Sequence, residues 1–161
     1  INNVVMFAPD MPGKYLHMDF YGKWSYRGTL YVAENCDVRT ADHILIYGHH
    51  MKNGTMFSDL CNYTDVDFCK EHSIINFDTL SGFGEYQVVA VFKFDTNHED
   101  FRYNEYTQMN EEQFKEFMSQ VHARQCYDTG IDAEYGDQLI TLSTCEYTYN
   151  NGRFVVVAKE V

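Results

Sequence analysis

LITLSTCEYTYNNGRFVVVA, residues 139–158, holds two β-type runs separated by a polar stretch that contains a glycine. The first run ends on Cys145, and the second opens on Arg153. Branched and aromatic side chains fill both runs, as in strands, and Asn, Gly and their neighbours suit a reversal between them. If the two runs pair antiparallel around the connection 146–152, Arg153 stands beside Cys145 on the neighbouring strand. A guanidinium in that place favours thiolate over thiol and offers fork-shaped donors to an oxyanion. The bland alternative is a packed thiol next to an exposed edge-strand charge, which is the commoner state of Cys and Arg in general. A third group is needed to decide between them.

The rest of the chain repeats the strand pattern. VVMFA near the start, GTLYV (28–32), HILIYG (43–48), SIINFD (73–78), EYQVVAVFKF (85–94), QLITLST (138–144) and RFVVVAK (153–159) are rich in Val, Ile, Tyr and Phe and are broken by Gly, Asn and Asp. Such runs predict an antiparallel sheet or barrel. A helix is predicted over 110–125, where Asn110 can cap, Glu111 and Glu112 suit the positive end of the dipole, and Phe114, Phe117, Met118 and Val121 recur at helical spacing. A shorter helix is predicted from Asp65 to His72, with Val66, Phe68 and Cys69 partly inward. No repeat, low-complexity tract or linker divides the chain, so residues 1–161 read as one domain.

Composition narrows the function classes. A length of 161 residues suffices for a sizeable core without disulfide staples, and 16% aromatic residues with two Pro argue for a folded body. Net charge of −12 disfavours nucleic acid or an anionic membrane surface as main partner, since both require clustered Lys and Arg. No apolar run approaches a bilayer span and no signal sequence opens the chain, whose start at Ile1 is expected of a processed or excised part of a longer protein. Five cysteines, at 36, 61, 69, 126 and 145, form no CxxC pair and leave one over after any full pairing. Cys36, Cys61 and Cys69 read as packing residues, and one working thiol is left room.

Of seven histidines, His49 and His50 stand out because they follow HILIYG, where Gly48 relaxes the backbone as a strand gives out. Metal binding by this pair is disfavoured: adjacent side chains point apart in extended chain, and no third ligand follows at hairpin or helical spacing. Asp95, Glu99 and Asp100 lack the ligand rhythm of a calcium loop and read as solvated charges. No cofactor is indicated.

YGHHMKNGTMFSDL and TLSTCEY…GRFVVVAK together resemble the two signature regions of sortases, the cysteine transpeptidases of Gram-positive cell surfaces, and are most similar to class B. His49 directly after Gly48 matches the family's histidine segment. Thr141, Leu142, Ser143, Thr144 and Cys145 match its TLxTC motif, and Arg153 matches the arginine opening the last strand. DFYGK at 19–23 and the long helix ahead of the cysteine strand are also class B-like. The resemblance implies a mainly β fold, a closed antiparallel or mixed barrel of about eight strands with one long and one or more short helices outside. It ranks His49 above His50, which occupies a variable position in the family pattern, and makes His49, Cys145 and Arg153 the catalytic residues. Ser143, Thr144 and Glu146, beside the nucleophile, are implied to contact substrate, with the 110–125 helix walling the groove.

The implied reaction cleaves a sorting motif after Thr through a thioester on Cys145 and passes the acyl group to an amine. The implied partners are a surface protein or pilin bearing that motif and an amine from a peptidoglycan cross-bridge or a pilin lysine. The implied place is the extracellular face of the cytoplasmic membrane, held by an N-terminal anchor absent from this chain. A secreted Cys/His peptidase without amine acceptor, and a non-enzymatic β-barrel binding module, are the other classes compatible with the residues.

Overall fold

The computed structural model describes residues 1–97, 100–146 and 151–161, with Glu146 described through its backbone alone. Its strands are β1 (Val5–Met6), β2 (Leu30–Val32), β3 (His43–Tyr47), β4 (Ile74–Asn76), β5 (Glu85–Asp95), β6 (Leu139–Glu146) and β7 (Gly152–Glu160). All seven join one curled sheet in the order β1-β2-β3-β6-β7-β5-β4. Each predicted run thus supplies a strand, usually trimmed at one end or both, and the mainly β expectation holds with seven hydrogen-bonded strands. The sheet is mixed: β1 pairs with β2, and β3 with β6, in parallel, while the other neighbours are antiparallel.

The centre of the sheet is apolar on both faces. Val88 to Phe92 and Phe154 to Ala158 are all essentially inaccessible, so these runs read as continuous Val, Ala and Phe rather than as an alternating pattern. The edge strands β1 and β4 are two and three residues long, too short to offer a template to another chain. A register shift between Val88 and Ala90 marks a bulge where β5 follows β7.

The short helix α1 (Val66–Glu71) begins at Asp65, whose carboxylate accepts from the N–H of Asp67, and it buries Cys69. The long helix α2 (Glu111–His122) carries a capping box, in which Asn110 and Gln113 satisfy each other's backbone N–H, and it buries the predicted stripe Phe114, Phe117, Met118 and Val121. Its Phe117 ring meets Phe101, which in turn meets Tyr103, so α2 supports the segment that reaches the site. Three 3₁₀ segments, Lys14–Leu16, Ser58–Thr64 and Tyr103–Glu105, escape the sequence pattern because single turns leave no periodicity to detect.

Topology places the site. Parallel strands end at the same edge, so β3 and β6 deliver residues 48–50 and 145–146 together, and antiparallel β7 starts there with Gly152 and Arg153.

His43, at the start of β3, is fully buried against Phe117. Its Nδ1 lies 2.7 Å from the Tyr106 carbonyl and its Nε2 2.7 Å from Thr141 Oγ1. A carbonyl only accepts, so Nδ1–H donates to Tyr106 and Nε2 accepts the Thr141 hydroxyl, an arrangement that suits the neutral ring. Desolvation lowers the His43 pKa to about 4 from 6.5. The unfolded chain therefore binds a proton that the folded chain refuses between these values. Stability from this residue is full above pH 6.5 and falls as pH drops toward 4, by on the order of 3 kcal/mol in all. Urea unfolding of the wild type across this interval is expected to show that slope, and His43→Gln a shallower one; equal slopes would remove His43 as the cause.

Candidate active site

Cys145 on β6 and Arg153 on β7 are direct register partners. Arg153 Nη1 donates to the Gly152 carbonyl at 3.0 Å and lies 3.8 Å from Cys145 Sγ. Both residues are half-buried, open enough for a ligand and close enough to the core to be held. The strands run one residue further at each side than the sequence suggests, because Glu146 still pairs with Gly152. Residues 147–150 of the connection, His98, Glu99 and the Glu146 side chain lie outside the described residues.

Strand alternation sorts the neighbours into two faces. Tyr47 pairs with Ser143, and Tyr31 pairs with Tyr47 with ring centroids 5.6 Å apart. Ser143 Oγ and Tyr103 Oη lie 2.9 Å apart in a buried hydrogen bond. Tyr31, Tyr47, Tyr103 and Ser143 thus share the face of Cys145. Burial, then Glu34, pushes Tyr31 up to about 12, while Arg153 pulls it down and Cys145 raises it further. Tyr103 is raised chiefly by burial, and Ser143 and Arg153 act against that. Tyr47 is raised chiefly by burial as well. All three phenols therefore stay protonated at neutral pH. Sequence reasoning missed them; the only signal was that Tyr47 lies two residues before His49, on the same side of an extended chain.

His49 lies two residues past the end of β3. Its Nε2 lies 2.8 Å from the Leu16 carbonyl, and as the carbonyl accepts, Nε2 carries a proton. The His17 ring stacks on it, with centroids 5.6 Å apart and planes at 27°. Leu16 and His17 precede the DFYGK turn, in which the Asp19 carboxylate accepts from the N–H groups of Tyr21 and Lys23. That turn, noted in the sequence as a family feature, lies directly after the residues that hold His49.

Thr144 belongs to the opposite face of β6, and Gly48 and His50 follow the end of β3. A Cβ on Gly48 would fall inside contact distance of the Leu30 and Phe57 side chains, so any larger residue would force these two to shift. Thr144 is buried and donates from Oγ1 to the Gly48 carbonyl at 2.7 Å. His50 Nδ1 lies 3.0 Å from the Cys145 carbonyl and 3.5 Å from Cys61 Sγ. Of the implied substrate contacts, Ser143 and Thr144 are both buried and already bonded: Ser143 lies on the face of Cys145 with its hydroxyl on Tyr103, and the Thr144 hydroxyl is engaged behind the sheet. Among the described residues, no three His, Cys, Asp or Glu side chains group as metal ligands.

All five cysteines are free; Cys36 and Cys69 are buried, Cys61 and Cys145 half-buried, and Cys126 exposed. Desolvation pushes the Cys36 and Cys126 thiols up, with Lys93 acting against this at Cys126. A thiosulfonate at neutral pH is expected to label Cys145 first, since it alone has a guanidinium beside it, and exposed Cys126 second. Peptide mapping that finds Cys126 ahead of Cys145 would count against an activated Cys145.

The family model described as sortase domain matches residues 23–161, and the chain belongs to the sortase family. Its relatives are of class B. Sortase B of Staphylococcus aureus is 29% identical over 158 residues, covering 94% of this chain and 64% of the relative. Sortase B of Listeria monocytogenes is 31% identical over 150 residues, covering 91% of this chain and 60% of the relative. The chain thus spans less than two thirds of the length of either. The S. aureus sortase B–substrate complex superposes with a TM-score of 0.87 at 27% identity, over 98% of this chain and 72% of that one.

Proposed function

We propose that this domain is a cysteine transpeptidase in which Cys145 is the nucleophile, His49 the proton-transfer group and Arg153 the oxyanion partner. The observation that carries the reading is the register pairing of Cys145 with Arg153, at the edge where β3 ends on the His49 segment. Cys145 as thiolate attacks the carbonyl carbon of a threonine in a sorting motif. The tetrahedral oxyanion is held by the guanidinium of Arg153. As the intermediate collapses, the amide C–N bond breaks, and the departing amine takes a proton from the His49 imidazolium. A thioester then joins Cys145 to the threonyl carbonyl. An acceptor amine gives its proton to neutral His49, attacks the thioester and expels the thiolate, leaving a new amide bond.

Since Leu16 holds Nε2–H, Nδ1 is the nitrogen that exchanges the proton. Tyr31 and Tyr47, half-buried on the face of Cys145, are assigned to the approach, while Ser143, itself fully buried, is held by its bond to Tyr103 beneath it. Glu146, next after the nucleophile, is assigned to substrate by position alone. Thr144 acts behind the sheet.

The donor is a sorting-motif surface protein or pilin, and the acceptor a cross-bridge amine or a pilin lysine; wall anchoring and pilus polymerisation share this chemistry. Among the described residues no helix is long and apolar enough to cross a membrane, and placement at the outer face of a Gram-positive membrane follows from the proposed role. The deciding experiment is mass spectrometry of the enzyme with threonine-containing peptides, with and without candidate amines. A thioester on Cys145 that resolves into a new amide supports transpeptidation. Hydrolysis alone, unaffected by any amine, points to a peptidase, and no adduct at all to a binding module.

The role of Arg153 has its own test. Arg153→Lys keeps the charge and loses the planar fork, and turnover is expected to fall by about 10²-fold or more if the guanidinium binds the oxyanion. Near-normal turnover would reduce Arg153 to a nearby positive charge.

A further inference from the structure

The backbone ladder between β3 and β6 stops at Tyr47 and Ser143, followed by one more bond from the Gly48 N–H to the Ser143 carbonyl at 3.2 Å. Beyond it, two side chains take over, in opposite directions. Thr144 reaches from the cysteine strand to the carbonyl of Gly48, the residue before His49. His50, the residue after His49, reaches back to the carbonyl of Cys145 itself. Cys145 is therefore held through its own carbonyl, and His49 through the carbonyl of the residue before it.

We propose that His50 and Thr144 are positioning residues, a crossed clamp that sets His49 against Cys145. The inference rests on the roles assigned to those two residues above. Both acceptors are carbonyls, so His50 carries its proton on Nδ1, and Cys61 Sγ at 3.5 Å is a second acceptor for that proton. A second proton on Nε2 leaves the bond to Cys145 intact. His50 thus holds position whatever its charge, while His49, with Nε2 tied to Leu16, keeps Nδ1 for proton transfer. The adjacent histidines have complementary tautomers and different duties. The bond from His50 also restrains the peptide plane that follows Cys145, where the ladder to β3 no longer does. Displacements of about 1 Å cost reactions of this kind up to about a hundredfold, so a clamp of two bonds is of catalytic consequence.

The test uses His50→Ala, His50→Asn and Thr144→Val. The Asn amide can place a donor near the position of Nδ1, whereas Ala cannot, and Val keeps the shape of Thr without its hydroxyl. With the peptide and amine pair found for the wild type by mass spectrometry, His50→Ala and Thr144→Val are expected to lower kcat by about tenfold or more with KM nearly unchanged. His50→Asn is expected to recover most of the loss. ¹⁵N spectra of the imidazoles need no substrate: His50 is expected as the Nδ1–H form and His49 as Nε2–H. The His49 signals are expected to move in His50→Ala and to return in His50→Asn. If the wild type turns over no pair, the assigned chemistry fails while these spectra still decide the clamp. An Nε2–H form of His50, or a folded His50→Ala enzyme with wild-type kcat, would overturn it.

Discussion

Cys145→Ala is expected to abolish both cleavage and amide formation, with turnover down by at least about 10⁴-fold, because no other group can form the thioester. The fold should survive. Cys145 is half-buried at the end of β6, its pairing with Arg153 is through the backbone, and only one half-buried atom is lost, so stability should change by about 1 kcal/mol or less. Mass spectrometry after incubation with substrate peptide should show no adduct on the variant, and thermal unfolding should show a transition near that of the wild type. Persistent cleavage by the alanine variant would remove Cys145 as nucleophile. An unfolded variant would show that the thiol is structural, and Cys145→Ser, which restores the shape with a poorer nucleophile, would then carry the test.

His49→Ala is expected to be nearly as severe, with a loss of about 10²- to 10⁴-fold, since the departing amine takes its proton from this ring and the incoming amine returns one to it. The ring is tied to the Leu16 carbonyl and stacked on His17, and neither contact belongs to the core, so the variant should fold. Its signature separates it from loss of the nucleophile: alkylation still modifies Cys145, whereas turnover is gone. Added imidazole should restore part of the rate. If His49→Ala keeps its rate and a folded His50→Asn loses it, the proton-transfer role passes to His50.

The hairpin β6–β7 was legible because its determinants are local: two branched, aromatic runs and a polar break in one short stretch. Helix α2 was equally plain, since Asn110, Gln113 and the apolar stripe all act within a few turns. The parallel pairing of β3 with β6 was not. It joins residues as far apart as Gly48 and Thr144, 96 positions in the chain, and parallel neighbours carry no turn between them to mark the match. The consequences of that pairing were hidden with it. Thr144 and Ser143 look alike in the motif, yet alternation sends one hydroxyl to Gly48 behind the sheet and the other to buried Tyr103 on the face of Cys145. Thr141, another motif residue, bonds to buried His43, a structural use that its place before the nucleophile does not suggest. His17 and Leu16 were invisible as site residues because only the folded chain brings their segment over His49.

The sheet order also governs when the site comes into being. The strand that bears Cys145 is flanked by β3, far earlier in the chain, and β7, which follows it. No hairpin or helix forming early on a nascent chain can bring His49 to the thiol, because that meeting requires closure of a loop of nearly a hundred residues. An incomplete chain lacking β7 has neither the inner strand that β6 and β5 share nor Arg153. Competence thus waits for β7, which completes both the sheet around Cys145 and the pairing with Arg153.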